Sequence, residues 1–135
     1  MRKYLYFFFS FLLIYSCKKT STNSNKTFQI FKHNKTGINF SNDLPLDGDL
    51  NILNYIYYFN GGGVAAGDVN NDGLVDLYFT GNQVSSKLYL NKGGFQFEDI
   101  TKRSNTTTTS WASGAAMIDI NADGWLDIYV CVSGS

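Results

Sequence analysis

Residues 60–135 contain eight acidic side chains, and six of these fall in two clusters with one shared spacing. Asp68-x-Asn70-x-Asp72-Gly73-x-x-Asp76 recurs 51 residues later as Asp119-x-Asn121-x-Asp123-Gly124-x-x-Asp127. Oxygen-bearing side chains thus occupy loop positions 1, 3, 5 and 9. Alternate residues of a tight loop can face one centre, and the glycine at position 6 permits the sharp turn that closes it. The main-chain carbonyl of position 7, Leu74 or Trp125, can face the same centre. Three carboxylates, an amide oxygen and a carbonyl form an oxygen-only set, which suits a hard cation. Ca²⁺ is favoured over Mg²⁺ because the set is large and flexible. Zn²⁺ is disfavoured, since no Cys or His lies nearby. The expectation is about one Ca²⁺ per repeat. A single Asn71-Asp72-Gly73 would also read as a plain turn; the argument for a site is the repetition.

An EF-hand loop starts with similar spacing but needs a carboxylate at position 12 and a helix on each side. Position 12 here is Phe79 in one copy and Val130 in the other, and the flanking segments have strand character. Enzymatic readings find little support, and no catalytic residue is assigned. The only histidine, His33, precedes the repeats and reads as a solvated linker residue, so a Ser-His or Cys-His nucleophile system has no base inside them. Gly61-x-Gly63-x-x-Ala66 matches a dinucleotide fingerprint by letter. That motif needs a helix after it to receive the phosphates, and an aspartate-rich loop follows instead. Close packing of neighbouring strands is the simpler role for the glycines.

The elements that must hold the two clusters read as short strands. Val64–Ala66 and Ala115–Ile118 enter them, while Leu74–Thr80 and Trp125–Val132, rich in β-branched and aromatic residues, leave them. Lys87–Leu90 and Phe95–Ile100 give a third and fourth strand, separated by the turn signal Asn91-Lys92-Gly93-Gly94. Ile52–Phe59 reads as an earlier, buried strand, apolar on both faces. Cys131 reads as a small buried hydrophobe, and Trp111 and Trp125 as core or strand-end packing. Four antiparallel strands in a period near 50 residues describe a β-propeller blade. The fold class expected is therefore all-β, a partial propeller with one full blade at about 61–101 and a second begun at about 111. Closure takes about 4–8 blades, so the sequence is expected to be part of a longer chain.

Composition and charge narrow the setting. The chain has 135 residues and zero formal net charge, and the repeats are acidic. These features argue against nucleic-acid binding. Residues 1–36 carry seven basic residues and no acid. Arg2 and Lys3 precede an apolar run, Tyr4–Tyr15, that is too short to span a bilayer and fits a signal-peptide core. Ile14-Tyr15-Ser16-Cys17 resembles the lipobox of bacterial lipoproteins, which implies cleavage after residue 16 and lipidation of Cys17. Residues 17–36 are polar, basic and low in complexity, and read as a flexible tether. The expected location is the bacterial cell envelope: anchored by lipid in the outer membrane, periplasmic or surface-exposed.

The run from Gly61 to Asn82, with Asp68-Val69-Asn70-Asn71-Asp72-Gly73 at its centre, resembles an FG-GAP/VCBS repeat of integrin α-type propellers. Asn51-Ile52-Leu53-Asn54-Tyr55, Lys87-Leu88-Tyr89-Leu90-Asn91, Phe97-Glu98-Asp99-Ile100-Thr101 and Asp123 to Val130 resemble the N-terminal part of bacterial VCBS-repeat lipoproteins related to the ASPIC/UnbV proteins. The resemblance covers about residues 37–135. It implies a seven-bladed propeller in a longer chain, with Ca²⁺ at Asp68, Asn70, Asp72 and Asp76 and at Asp119, Asn121, Asp123 and Asp127. Ile118 departs from the first copy, which has Gly67 there. The function expected is a non-enzymatic, calcium-binding scaffold with an unknown protein or glycan ligand. The alternative is the non-catalytic part of a larger surface enzyme acting on polysaccharide or lipid.

Overall fold

The computed structural model describes residues 28–133. The signal peptide assigned to 1–16, the Cys17 lipidation site and most of the 17–36 tether lie outside the described residues. Phe31 onward belongs to one unit, described below. The last residues of the stretch read as tether, His33–Thr36, form a single helical turn, α1, closed by Gly37 in the left-handed conformation.

Four antiparallel strands follow in sequence order: β1 (Val64–Gly67), β2 (Asp76–Phe79), β3 (Lys87–Asn91) and β4 (Phe97–Asp99). Ala65 pairs with Tyr78 and Gly67 with Asp76, so the loop carrying the first acidic cluster is the β1–β2 connection. Tyr78 pairs with Leu88, and Tyr89 with Asp99. A second sheet holds β5 (Ala112–Ile118) and β6 (Asp127–Val132). There Met117 pairs with Ile128 and Ile118 with Asp127, with a register shift between Ala112 and Gly114. This is an all-β, antiparallel arrangement of one four-stranded blade and two strands of the next, a partial β-propeller.

The apolar side chains of the two sheets meet between them. Ala65, Tyr78, Leu88 and Ile100 are buried on the first sheet, and Ala115, Met117, Ile128 and Val130 pack against them from the second. Contact is closest where β1 meets β5. A Cβ at Gly63 would lie 3.0 Å from the Gly114 Cα, and one at Gly67 would lie 2.7 Å from Leu126 Cδ1. At Gly63 the obstacle is backbone, so the glycine there serves the inter-sheet packing, whereas at Gly67 it is the ends of the flexible Leu126 and Met117 side chains, which can give way.

The opposite face of the first sheet is crossed by residues 37–45. Ile38, Phe40, Asn42 and Leu44 are half-buried, while Gly37, Asn39, Ser41, Asp43 and Pro45 are exposed, an alternation typical of extended chain. Phe40 stacks on Phe79 at 5.3 Å between ring centroids. The Tyr89 hydroxyl donates to Asn39 Oδ1 at 3.0 Å. Asn42 and Asn82 exchange bonds, with Asn42 Nδ2 donating to Asn82 Oδ1 (2.5 Å) and Asn82 N–H to Asn42 Oδ1 (2.9 Å).

Two expectations fail. Ile52–Phe59 is not a buried strand; it runs through successive turns, with Tyr55 N–H bonded to Asn51 C=O and Tyr58 N–H to Tyr55 C=O. The two asparagines decide it, because their side chains bond the local backbone and compete with any ladder. Asn54 Oδ1 accepts from Asn51 N–H, and Asn51 Oδ1 from Leu53 N–H. Tyr58 alone is fully buried there, while Leu53, Ile56, Tyr57 and Phe59 stay exposed. Cys131 is exposed rather than buried, because successive residues of β6 alternate in facing and it points away from the inter-sheet core. The tryptophans differ as well: Trp111 is buried, touching Tyr55 and Tyr58, and Trp125 is exposed.

Candidate functional site

Each acidic cluster forms the connection between the first two strands of its sheet. In the first, Asp68 follows directly on β1 and Asp76 opens β2. In the second, Asp119 follows β5 and Asp127 opens β6. The turn between them requires left-handed backbone at two positions. These are Asn71 (φ 55°) and Gly73 (φ 84°) in the first loop, and Ala122 (φ 59°) and Gly124 (φ 88°) in the second. Gly at position 6 meets that demand without strain. Asn at position 4 tolerates it better than Ala does.

The oxygen side chains organise both loops by the same set of bonds. In the first, Asp68 Oδ1 and Asn70 Oδ1 both accept from the Asp72 N–H, at 3.1 and 3.2 Å. Asp68 Oδ2 accepts from Gly73 N–H at 2.7 Å, and Asp72 Oδ1 from Leu74 N–H at 2.9 Å. Asp76 Oδ2 accepts from Val69 N–H at 3.0 Å. In the second loop Asp119 and Asn121 converge on the Asp123 N–H at 3.1 and 3.2 Å. Gly124 N–H reaches Asp119 Oδ2 at 2.9 Å, Trp125 N–H reaches Asp123 Oδ1 at 2.9 Å, and Ile120 N–H reaches Asp127 Oδ2 at 3.1 Å. The side-chain amide of position 3 also donates to the position 5 carboxylate in both loops. Asp123 is held below the ordinary carboxylate range by the Asn121 side-chain bond and then by the Trp125 N–H.

All the residues proposed from sequence as ligands therefore sit in the two loops. Convergence on a single point is partial. The oxygens of positions 1 and 3 meet at one electropositive group, the position 5 N–H. Among the described residues no three His, Cys, Asp or Glu side chains surround a common point. Positions 5 and 9 are turned towards other backbone amides. The chemistry of the donor set still fits a hard cation, because every side-chain donor is oxygen and three in each loop are carboxylates. The Leu74 and Trp125 carbonyls belong to that set by position alone.

Two contacts at this site had no signal in the spacing. Asp76 Oδ1 accepts from Asn91 N–H at 2.8 Å, which fastens the first loop to the end of β3. Asn71 Nδ2 donates to the Gly124 carbonyl at 3.1 Å, which joins the two loops directly. The second could have been suspected from position 4, where Asn in one copy becomes Ala122 in the other. Away from the loops, a hollow of about 230 Å³ is lined by Phe40, Asn42, Gly62, Gly63, Val64, Phe79 and Thr80. It carries no titratable side chain.

A repeated antiparallel unit whose strand-joining loop is built from Asp, Asn and Gly defines a propeller-type blade. Comparison with protein families finds an FG-GAP-like repeat at residues 68–130, which runs from Asp68 at the start of loop one to β6 in the second sheet. No curated protein and no solved structure matches the chain.

Proposed function

We propose that this chain is a calcium-binding, lipid-anchored β-propeller module of the bacterial cell envelope, related to the ASPIC/UnbV lipoproteins, that presents a binding surface and carries out no catalysis of its own. An FG-GAP-like repeat suggests a propeller that binds or scaffolds. The observation that supports the finer reading is the duplication. Two loops 51 residues apart keep the same four oxygen side chains in the same bonds. A plain turn needs only the glycine and one Asx residue. Retaining three carboxylates in each loop crowds like charges, which costs stability unless a cation offsets it.

Bound Ca²⁺ would supply charge neutralisation and tie the two strand ends of each blade together. The chain's own residues do the rest. Asp68 and Asp119 anchor the end of the incoming strand, Asp76 and Asp127 the start of the outgoing one, and the amides between them fix the loop. Cys17 would carry the lipid, the basic segment after it would hold the blades off the membrane, and the partner would be a protein or a glycan.

Thermal unfolding of the full chain with Ca²⁺ or with chelator tests the cation reading. At a hundredfold excess over the dissociation constant, occupancy of one site adds about 2.7 kcal/mol. Asp119→Ala with Asp123→Ala should remove part of that gain. An equal melting temperature with Ca²⁺ and with chelator overturns the reading. Fatty-acid labelling lost in Cys17→Ser tests the anchor, and retained labelling refutes it.

A further inference from the structure

The Asn71–Gly124 contact joins the two loops at a particular peptide group. The Gly124 carbonyl that accepts from Asn71 Nδ2 belongs to the same peptide unit as the Trp125 N–H, which donates to Asp123 Oδ1 at 2.9 Å. One rigid plane is therefore held at its oxygen by the first loop and at its nitrogen by a carboxylate of the second. Asn71 in turn lies between Asn70 and Asp72, both of which contribute oxygens to the first loop. Any rearrangement of Asn70 or Asp72 moves the backbone that carries Asn71. It then alters the hold on the Gly124–Trp125 peptide, whose carbonyl precedes the position 7 residue of loop two. In the second loop position 4 is Ala122, which has no side-chain donor, so that loop cannot repeat the contact on a further neighbour.

We infer that Asn71 is a positioning residue that couples the two oxygen loops, so that ordering one favours cation binding in the other. The inference rests on the cation reading proposed above and adds to it the interaction between sites. Coupling of this kind is reciprocal: whatever the first loop does to the second in binding free energy, the second does to the first. A single neutral hydrogen bond has a net worth of about 1 kcal/mol, which corresponds to about a fivefold change in affinity.

Terbium luminescence provides the test, because Trp125 lies within the second loop and can sensitise bound Tb³⁺ there. Four full-length chains are titrated: the parent, Asn71→Gly, Asp68→Asn with Asp72→Asn, and the combination. Glycine suits the left-handed backbone at position 71, so Asn71→Gly removes the donor without adding strain. Trp125→Phe identifies the second-loop signal by abolishing it. Neutralising the first loop lowers cation affinity at the second by direct charge effects in either background. The coupling is the excess: neutralisation should weaken second-loop binding about fivefold more in the parent than in Asn71→Gly. Equal weakening in the two backgrounds overturns the coupling and leaves the cation sites standing. A parent chain with no saturable, Trp125-dependent luminescence overturns the cation reading and the coupling with it.

Discussion

The two loops share their oxygen-bearing side chains and nearly all of their internal bonds, yet their closing aspartates sit in different surroundings. Asp76 is fully buried and bonds two backbone amides, Val69 N–H and Asn91 N–H. Asp127 is half-exposed, and only the first of these has a counterpart, Ile120 N–H. The tyrosines two residues on differ likewise: Tyr78 is 2% exposed and Tyr129 is 59% exposed. The internal bonding of the loop is thus local, set by nine residues of sequence. Burial of its outgoing end is supplied by β3, which lies beside β2 and, among the described residues, has no counterpart beside β6.

Tyrosine truncation gives the largest effect expected from this contrast. Tyr78→Ala deletes a core ring packed with Ala65, Leu88 and Ile100, and should cost about 4 kcal/mol in urea unfolding. Tyr129→Ala should cost no more than about 0.5 kcal/mol, as for an exposed position. Comparable losses at the two sites would break the contrast by showing that Tyr129 is covered in solution.

The aspartates sharpen the same comparison at smaller scale. Asp76→Ala leaves two amide donors without their acceptor in a buried site and should cost about 3 kcal/mol. Asp127→Ala strands one donor that water can reach, at about 1 kcal/mol. Both are measured with chelator present, so that only the hydrogen bonds are compared. A ratio near one would mean that the Asn91 contact contributes nothing.

How far the sequence disclosed this arrangement follows the same division. Strands β1 to β6 and both loops were readable, because their signals are local: β-branched and aromatic runs, a glycine at a left-handed position, and a spacing that appears twice. The close glycine packing of β1 on β5 was readable at Gly63, while Gly61 of the same run has open space around it and Gly67 gave no such signal. Ile52–Phe59 misled because its composition is that of a strand, and Asn51 and Asn54 overrule composition through side-chain bonds to their own backbone. Residues 37–45 were legible in principle, since Ile38, Phe40, Asn42 and Leu44 alternate, but what they cover comes from distant strands. Asn71 and Asn91 act across 53 and 15 residues of separation, and no spacing rule announces such contacts.

The smallest expected effect concerns what β3 and β4 themselves bring to the first blade. Lys87 Nζ lies 2.8 Å from Asp99 Oδ2, and both side chains keep about a third of their surface in solvent. Lys87 is raised above its ordinary value chiefly by the hydrogen bond to Asp99. Burial pushes Asp99 up, but the bonds from Lys87 and Thr101 outweigh it and hold the carboxyl below its ordinary value. A depressed acid stabilises the fold above its unfolded pKa and loses that contribution as pH falls through the folded value. A raised base stabilises below its unfolded pKa and loses its contribution as pH rises through the folded value. With ordinary values of 3.8 and 10.5, the pair contributes fully between them. Solvent exposure limits it to about 0.5 kcal/mol. Lys87→Met should therefore unfold slightly more easily than the parent at neutral pH, and the gap should close below pH 3.8. The acid sensitivity of Asp99 should not vanish in the variant, because Thr101 still donates to it through both N–H and hydroxyl. A gap that persists in acid would show that the loss does not come from the Lys87–Asp99 charge pair.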